Sequence, residues 1–386
     1  MVYQEVALLS SVLNPEPRVT SQDGLGAIFL FVNRQALVYG DGMRSGSYAA
    51  WTVREADFPR GGRIEEQLRF LLHYVILAPS AHNTQPWRFH LGGNRITLLP
   101  DFSRALPVSD PTHRELYVSL GCALANLRIA AEYFSLSVTT EEFPGGEGQP
   151  VARLSFVSGG TASPGTEPLF AAISQRHSNR APYEQRPVPV DTLQRLRGQV
   201  SDPEVRLDLV TQKEQILTLA ELTARATRET LGRAEFRSEL SRWVRNNFTR
   251  KPDGMPGFAV VVPDVPSLLA PVMVRLPPMA KSEAQKANAL IAGSPLIAVI
   301  STTEDSPRGW VKAGVALERV WLAAVAHGLR AAPYAGPFEA SKLHAEVERL
   351  LGLSGVRAQT LLRVGYGPDD PHPSPRRSVE GGIARA

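Results

Sequence analysis

Two helical segments of the chain match each other at a constant offset of 193 residues, and this repeat limits the fold more than any other sequence feature. A strand-like segment follows each helix, at residues 151–157 and 359–364. The pattern predicts two related α+β halves in one chain, and chance similarity between two alanine-rich amphipathic helices is the alternative. The matched pairs are Gly121 and Gly314, Ala123 and Ala316, Leu124 and Leu317, Ala130 and Ala323, Ala131 and Ala324, and Leu136 and Leu329.

Length and composition indicate a globular protein. The 386 residues suffice for two core-forming units, and 43% hydrophobic with 21% charged residues is an ordinary globular balance. No apolar run has the length needed to cross a bilayer, and the first residues lack the pattern of a secretory signal, so we expect a cytoplasmic protein. The single cysteine, Cys122, excludes an internal disulfide and is interpreted as buried packing.

The charge pattern favours a small phosphorylated ligand over nucleic acid. The net charge of +4 comes mostly from arginine, whose guanidinium group binds phosphate in a bidentate manner. The basic residues are scattered among 38 acids, and no basic stripe alternates with aromatic residues. We therefore expect no nucleic-acid partner.

Periodicity predicts the elements of the first half, which we place at residues 56–160. A helix begins at Glu65 and ends before Pro79, and strands at 87–91 and 96–99 form a hairpin. A second helix at 115–134 and a strand at 151–157 follow, and residues 158–165 read as a linker. Residues 1–55 are interpreted as a flexible leader, because the glycine spacing at 40–46 is one residue too long for a dinucleotide-binding loop.

The second half is placed at residues 165–386. It begins with a helix at 191–199, for which Asp191 is the candidate N-cap, and a strand at 205–211. An insertion at about 214–280 combines an amphipathic helix at 235–246 with proline-rich turns, and is predicted to be a cover or arm outside the core. A strand at 296–301 follows the insertion.

Familiar metal and nucleophile motifs are absent from the sequence, but three segments together suit a flavin. Residues 78–87 offer short side chains and amides at a helix end, although a structural turn explains them equally well alone. Residues 176–180 and 374–377 contain arginine pairs that suit a phosphate. A solvated charge cluster and a basic tail are the respective alternatives.

Taken together, the three segments resemble the nitroreductase superfamily over roughly residues 52–380. Residues 78–87 resemble its Ala-Pro-Ser-x-x-Asn-x-Gln-Pro-Trp signature, residues 176–180 its Arg-x-Ser-x-Arg flavin motif, and residues 333–338 its loop at the flavin N5 edge. Residues 365–367 with 376–377 resemble its closing strand and phosphate-binding tail. The resemblance implies FMN as cofactor, held by Pro79, Ser80, Asn83, Gln85, Arg176, Ser178, Arg180, Ala335, Gly336, Arg376 and Arg377.

The order of the motifs departs from that of ordinary family members, in which each protomer has the arginine motif before the Pro-Ser turn. Here the first half has only the turn and the second half only the arginine motif. The resemblance therefore implies one FMN per chain and a monomer that is an intramolecular pseudo-dimer. It is similar to the Acg-like tandem nitroreductases, which have counterparts of residues 58–59, 68–71 and 110–116.

The resemblance implies an α+β nitroreductase-like fold with two tandem halves and a lid insertion, and it leaves two functions open. The first is an FMN-dependent oxidoreductase that passes electrons from NAD(P)H to nitroaromatics, quinones or related acceptors in a ping-pong cycle, with no covalent side-chain nucleophile. The second is FMN storage, if Trp243, Phe248 or residues 277–278 cover the ring. Coincidental motif matches in an unrelated α+β protein are a further alternative.

Overall fold

The computed structural model describes residues 47–146, 150–161, 163–339, 341–369 and 372–384, and its first half contains a four-stranded antiparallel sheet. The sheet has the order β1-β2-β4-β3, with bounds Trp87–Gly92 (β1), Arg95–Pro100 (β2), Leu136–Glu142 (β3) and Ala152–Ser158 (β4). The predicted hairpin is confirmed: Gly93 supplies the positive φ of +58° that its turn requires. Strand β3 was not predicted, because its side chains on one face are threonine, serine and glutamate.

The second half contains a sheet with the same strand order. The order is β5-β8-β10-β9, with bounds Val205–Val210 (β5), Leu296–Thr302 (β8), Arg330–Tyr334 (β9) and Arg357–Gly365 (β10). Between β5 and β8 in the chain, the short strands β6 (Val244–Arg245) and β7 (Met255–Pro256) form a separate parallel pair. Every residue of β8 is buried, as its continuous apolar run predicts.

The helices connect and cover the two sheets. Their bounds are Ile64–Val75 (α1), Arg114–Tyr133 (α2), Thr166–Ile173 (α3), Val190–Arg197 (α4), Lys213–Gly232 (α5), Ala234–Ser241 (α6), Asp264–Ser267 (α7), Ala270–Met273 (α8), Met279–Ala292 (α9), Pro307–Ala326 (α10), Gly336–Glu339 (α11), Ser341–Leu350 (α12) and Val379–Gly382 (α13). The predicted helices at α1 and α2 are confirmed: the bounds of α2 agree to within one residue, and α1 begins one residue earlier than predicted and ends three residues earlier, at Val75. No helix of the described ranges is both long enough and apolar enough to cross a bilayer.

Helices α2 and α10 pack against each other at the centre of the molecule. They cross at two glycines: a Cβ atom on Gly121 would lie 2.8 Å from the Cα of Gly314, and one on Gly314 would lie 2.9 Å from the Cα of Gly121. Neither position has room for a side chain, so glycine allows the two backbones to touch. Cys122 is buried beside this crossing, where its thiol donates to the carbonyl oxygen of Gly314 at 3.3 Å.

Three expectations from the sequence are wrong in detail. The insertion is not wholly outside the core, because α5 buries Ile216, Leu219 and Ala226 in the core cluster of the second half. The helix predicted at 235–246 ends at Ser241. Asp191 is not an N-cap: Pro189 occupies that position, and no side chain caps the helix.

The predicted leader also extends too far. Residues 49–52 form a 3-10 helix, and Trp51 donates from Nε1 to the carbonyl oxygen of Ser374 at 2.8 Å. The carbonyl oxygen of Ser47 accepts from the backbone of Arg376 at 2.8 Å. These contacts hold the C-terminal segment, so residues 47–55 belong to the folded body. The glycine-rich segment at 40–46 lies outside the described residues.

Candidate functional site

Two cavities adjoin each other between the turn that follows α1 and the segment that precedes α4. Both are lined by Pro79, Ser80, Ser178 and Arg180. The larger cavity has a volume of about 350 Å³ and the smaller about 60 Å³. The first is within the usual range for small-molecule sites. Two of the segments predicted to bind a flavin, one from each half, thus meet at one cleft.

The turn after α1 is held in a strained backbone conformation. The φ angles are +49° at His82, +56° at Asn83 and +54° at Gln85, a region that non-glycine residues rarely adopt. Ser80 Oγ accepts from the backbone of Gln85 at 2.9 Å, and Asn83 Nδ2 donates to the carbonyl oxygen of Pro375 at 2.9 Å. Strain of this kind persists only where the surroundings fix it, so the turn is preformed.

Arg176 is a buried side chain at the wall of the smaller cavity. It is 2% exposed, donates from Nη2 to the carbonyl oxygen of Leu77 at 2.8 Å, and lies 4.5 Å above the Trp321 ring. Its Nε lies 3.2 Å from Oε1 of Glu318, which is fully buried. Burial raises the pKa of Glu318 to about 7, against the opposing effects of Arg176 and Arg376.

Arg376 lies beside Arg176 and is also buried. Its Nη1 donates to Oδ1 of Asn83 at 2.9 Å, its Nη2 donates to the carbonyl oxygen of Leu77 at 3.1 Å, and its guanidinium carbon lies 4.8 Å from the Trp51 ring centre. Burial and the charge of Arg176 lower the pKa of Arg376 to about 9. The Nε atom of Arg376 has no hydrogen-bond partner within the described ranges.

The neighbouring Arg377 lies outside both cavities. Its backbone N donates to Oε1 of Gln85 at 2.8 Å, and its Nη1 donates to the carbonyl oxygen of Gln85 at 3.2 Å. Gln85 is fully buried and lines neither cavity. Arg377 and Gln85 were both predicted as site residues, but they support the turn without lining a cavity. The other nine predicted residues line one cavity or both.

The smaller cavity has an excess of positive charge. Arg176, Arg180 and Arg376 line it, and the carboxylate of Glu318 touches Arg176 from behind. Burial, with the charges of Arg176 and Arg376, lowers the pKa of His177 to about 3, so this histidine is neutral at pH 7. Three cations face one carboxyl whose pKa is about 7, which leaves at least two positive charges at pH 7, enough to match a phosphate dianion.

The larger cavity is formed by both central helices and by the loop after β9. Helix α2 contributes Glu115, Ser119 and Cys122, and α10 contributes Leu317. Residues 333–336 close one side, including the predicted Ala335 and Gly336. Burial lowers the pKa of His82, which also lines this cavity, to about 4.

The insertion closes the larger cavity with residues other than those predicted. Trp243, Phe248 and residues 277–278 are absent from the cavity wall, and Phe248 is 54% exposed. The wall contains Thr227, Thr230 and Leu231 from α5 and Phe236 and Leu240 from α6. The amphipathic pattern indicated the α6 helix, but not which of its apolar residues faces the cleft.

Glu239 fastens helix α6 to the loop that precedes α2. Its carboxylate accepts from the backbone N of Ser109 at 2.9 Å, from the backbone N of Val108 at 3.0 Å, and from Ser109 Oγ at 2.6 Å. Glu239 is buried. The helix that covers the cavity is thus held in place by three hydrogen bonds to one side chain.

A third cavity, of about 750 Å³, lies where the repeat offset places a counterpart of the larger one. Its α10 wall includes Val311, Lys312 and Val315, which the offset pairs with Val118, Ser119 and Cys122 of the larger cavity. The repeat offset also pairs Glu142, which lines this third cavity, with Ala335, which lines the larger cavity of the proposed cleft. Ion pairs occupy the wall: Arg128 with Glu142 at 3.1 Å, and Lys312 with Asp202 at 3.1 Å.

Sequence reasoning missed several residues of the cleft. Trp51 was assigned to the leader, and Glu318 was hidden within the apolar repeat of α10. Glu115 lies in the segment 110–116, which the sequence had singled out only for a resemblance. A charged residue within an otherwise buried helical pattern was the available signal for Glu318.

Comparison with known proteins assigns the sequence to one family. Residues 173–366 match the family described as Nitroreductase family. A Mycobacterium tuberculosis protein provisionally named NAD(P)H nitroreductase Rv3131 is 29% identical over 332 residues, which cover 81% of this chain and 90% of the relative. The M. tuberculosis protein provisionally named NAD(P)H nitroreductase acg is 25% identical over 316 residues, covering 78% and 91%.

Solved structures share parts of the chain at lower similarity. The nitroreductase NfnB from Mycobacterium smegmatis, described in complex with NADPH, is 16% identical with a TM-score of 0.39, covering 57% of this chain and 98% of that one. An iodotyrosine deiodinase described with bound FMN is 17% identical with a TM-score of 0.36, covering 54% and 95%.

Proposed function

The chain belongs to the nitroreductase family, and on that premise we propose that it binds one FMN in the cleft and passes electrons from NAD(P)H to a nitroaromatic, quinone or related acceptor. When bound, the flavin supplies the redox chemistry, and the protein supplies binding, orientation and electrostatics. The observation that carries the proposal is the meeting of the Pro79–Ser80 turn with Ser178 and Arg180 at two adjoining cavities.

The residues present fit FMN in shape and charge. The larger cavity suits the planar ring. The smaller one suits the phosphate, because three arginines surround it with a net excess of at least two positive charges. The Nε atom of Arg376 is buried with no partner within the described ranges, so it has a donor to offer an anion. An uncompensated buried cation is costly, and a phosphate would remove that cost.

The side chains of the cleft position the cofactor and need not react with it. Ser80 and Ser178 line both cavities and offer hydroxyl groups to the ribityl chain and the ring edge. The loop at Ala335 and Gly336 brings backbone to the larger cavity, where a Cβ on Gly336 would lie 3.5 Å from the Cβ of Ala226. Arg377 and Gln85 are assigned the support of the turn.

One FMN per chain and an intramolecular pseudo-dimer form the finer part of the proposal. The two sheets share one strand order, and the repeat offset maps the crossing of α2 and α10 onto itself at Gly121 and Gly314. The third cavity occupies the counterpart position, but Glu142 stands where Ala335 stands in the proposed site, and ion pairs fill its wall. These features support a single cofactor site in a monomer.

FMN storage is the second candidate, and the cover over the larger cavity favours it. Leu231, Phe236 and Leu240 close the cavity, and Glu239 fastens the covering helix with three hydrogen bonds. A fixed cover would exclude the nicotinamide donor while retaining the flavin.

An anaerobic visible spectrum during titration with NADPH separates the two candidates. Bleaching of the flavin absorbance, followed by its return when a quinone or nitroaromatic is added, supports the reductase. Absorbance that persists against NADPH and bleaches with dithionite supports storage. A purified and FMN-reconstituted protein with no flavin absorbance contradicts both.

A further inference from the structure

In the segment at 110–116, Asp110 has a clear structural role, whereas the role of the Glu115 side chain is not explained by the fold. Asp110 precedes helix α2 and caps its first turn: its Oδ1 accepts from the backbone N of Glu115 at 3.2 Å, and its Oδ2 accepts from the backbone N of Leu116 at 3.0 Å. The side chain of Glu115 is not used in this cap. It lines the larger cavity, where neither binding of a phosphate nor capping of the helix needs a carboxyl group.

The Glu115 carboxyl is poorly compensated for a buried acid. Its side chain is 14% exposed, and its Oε1 has no hydrogen-bond partner within the described ranges. The nearest cation is Nε of Arg114, at 3.7 Å from Oε1. Burial raises the pKa of Glu115 to about 7, with Arg114 opposing the shift and Asp110 adding to it. The carboxyl therefore changes its proton occupancy around neutral pH.

The other ionisable groups at the cavity leave this role to Glu115. Burial raises the pKa of the Cys122 thiol well above its usual range, and burial raises that of Tyr334. Burial keeps His82 neutral by lowering its pKa to about 4. Asp110 is committed to the helix cap, and Arg180 is a permanent cation.

We propose that Glu115 takes up a proton when negative charge enters the larger cavity on reduction of the cofactor, and gives this proton to the electron acceptor. The inference rests on the proposed flavin function. Its physical basis is that an added negative charge close to a carboxylate in a poorly solvated cavity favours the protonated, neutral form of that carboxyl.

The step balances in atoms and electrons. A quinone gains two electrons and two protons when it becomes a hydroquinone. The electron pair and one proton come from the reduced cofactor, and the second proton comes from the carboxyl of Glu115. Glu115 is left as a carboxylate and regains its proton from water when the next electron pair enters the cavity.

The test is the pH dependence of the flavin midpoint potential in the FMN-loaded protein. The wild-type protein should take up more protons per two electrons than the Glu115→Gln variant, by a difference that is small near pH 6, where Glu115 is already protonated, and that approaches one proton near pH 8. Glu142→Gln is the matched control, because it removes a carboxyl from the counterpart cavity, and it should keep the wild-type slope. Equal slopes for wild type and Glu115→Gln would overturn the inference.

A second measurement is the infrared difference spectrum between the reduced and oxidised protein near pH 7. Wild type should show the gain of a protonated carboxyl C=O band on reduction. The Glu115→Gln variant should lack this band, which separates Glu115 from Glu318, whose pKa is also about 7. A band of equal size in both proteins, or none in wild type, would contradict the role of Glu115. Failure of the proposed function is distinguishable, since it would appear as a protein without bound flavin. Bound, reducible flavin with equal slopes and no carboxyl band would reject the role of Glu115 alone.

Discussion

Gly121 and Gly314 touch each other where α2 crosses α10, and each stands at the position that the repeat offset assigns to the other. The environment is reciprocal: a Cβ on Gly121 would strike the carbonyl oxygen of Val311, and one on Gly314 would strike that of Val118, its counterpart at the same offset. A residue that contacts its own equivalent lies on a two-fold axis in a symmetric dimer. The relationship supports the proposal that the chain is an intramolecular pseudo-dimer.

Gly121→Val should destabilise the protein by about 3 kcal/mol or more, because the added methyl groups have backbone on every side and the helices must separate to admit them. The measurement is the free energy of unfolding from urea titration. Gly61→Ala is the control, since no atom of the described residues lies within 4 Å of a Cβ at that position. A Gly121→Val protein as stable as Gly61→Ala would show that the helices do not meet as described.

Two adjacent arginines should differ in their effect on FMN retention. Arg376→Gln removes a buried cation from the wall of the smaller cavity and should weaken FMN binding by about 30-fold, equivalent to about 2 kcal/mol. Arg377→Gln is the matched control, because Arg377 contacts Gln85 and lines neither cavity. The dissociation constant can be measured by the quenching of FMN fluorescence on binding to the apoprotein. Equal losses in both variants would remove Arg376 from the phosphate site.

Sequence patterns predicted the fold well where one physical signal dominates. Apolar periodicity predicts the helices α1 and α2 and the hairpin of β1 and β2, and a continuous apolar run predicts the buried strand β8. Strand β3 was missed, because its exposed face is polar and its run is short. The core role of α5 was missed as well: its amphipathic face was overlooked within a long insertion rich in proline, and only tertiary packing shows that this face covers β5 and β8.

The candidate site was predictable as segments but not as contacts. Motif residues Pro79, Ser80, Ser178 and Arg180 meet at the cleft, as the resemblance implied. Which side of the turn each amide side chain faces depends on three positive φ angles, which no spacing rule gives. The sequence therefore could not separate Gln85, which lines neither cavity, from Asn83, which lines the smaller one. Glu115 and Glu318 escaped notice because sequence alone does not show which charged residue of a helix is buried.

Glu115 should also make the stability of the apoprotein depend on pH. Its folded pKa of about 7 lies above the ordinary value of 4.5, so the folded chain binds more protons than the unfolded chain between these pH values. Glu115 therefore contributes to the free energy of unfolding at low pH, and this contribution is lost as the pH rises towards 7. The loss is at most about 3 kcal/mol. Glu115→Gln should gain stability relative to wild type on going from pH 5 to pH 8.

The measurement is the urea midpoint of wild type and variant at both pH values, since groups common to both proteins cancel in the difference. Glu142→Gln, which removes a carboxylate paired with Arg128, is the control for the loss of one acid. If the urea midpoints of Glu115→Gln and wild type differ by the same amount at pH 5 and pH 8, folding does not raise the pKa of the Glu115 carboxyl.

Release of helix α6 should expose the larger cavity. Glu239→Ala leaves the backbone N of Val108, and both the backbone N and the hydroxyl of Ser109, without their carboxylate acceptor, at a cost of about 1 kcal/mol or more for each bond. The helix that carries Phe236 and Leu240 over the cavity should then open at least about ten times more often. Quenching of bound FMN fluorescence by iodide should rise accordingly.

Glu235→Ala is the matched control, because Glu235 lies on the same helix but is exposed and pairs only with Arg233 within the described residues, at 3.1 Å. The rate of flavin bleaching by NADPH in the same proteins then decides between the two functions. If the flavin of Glu239→Ala is bleached by NADPH faster than that of wild type, and the flavin of Glu235→Ala is not, helix α6 limits access of the donor to the flavin. The bleaching rate of wild type then measures its activity as a reductase. Equal quenching and equal bleaching in all three would mean that α6 does not control entry, and the case for storage would lose its structural support.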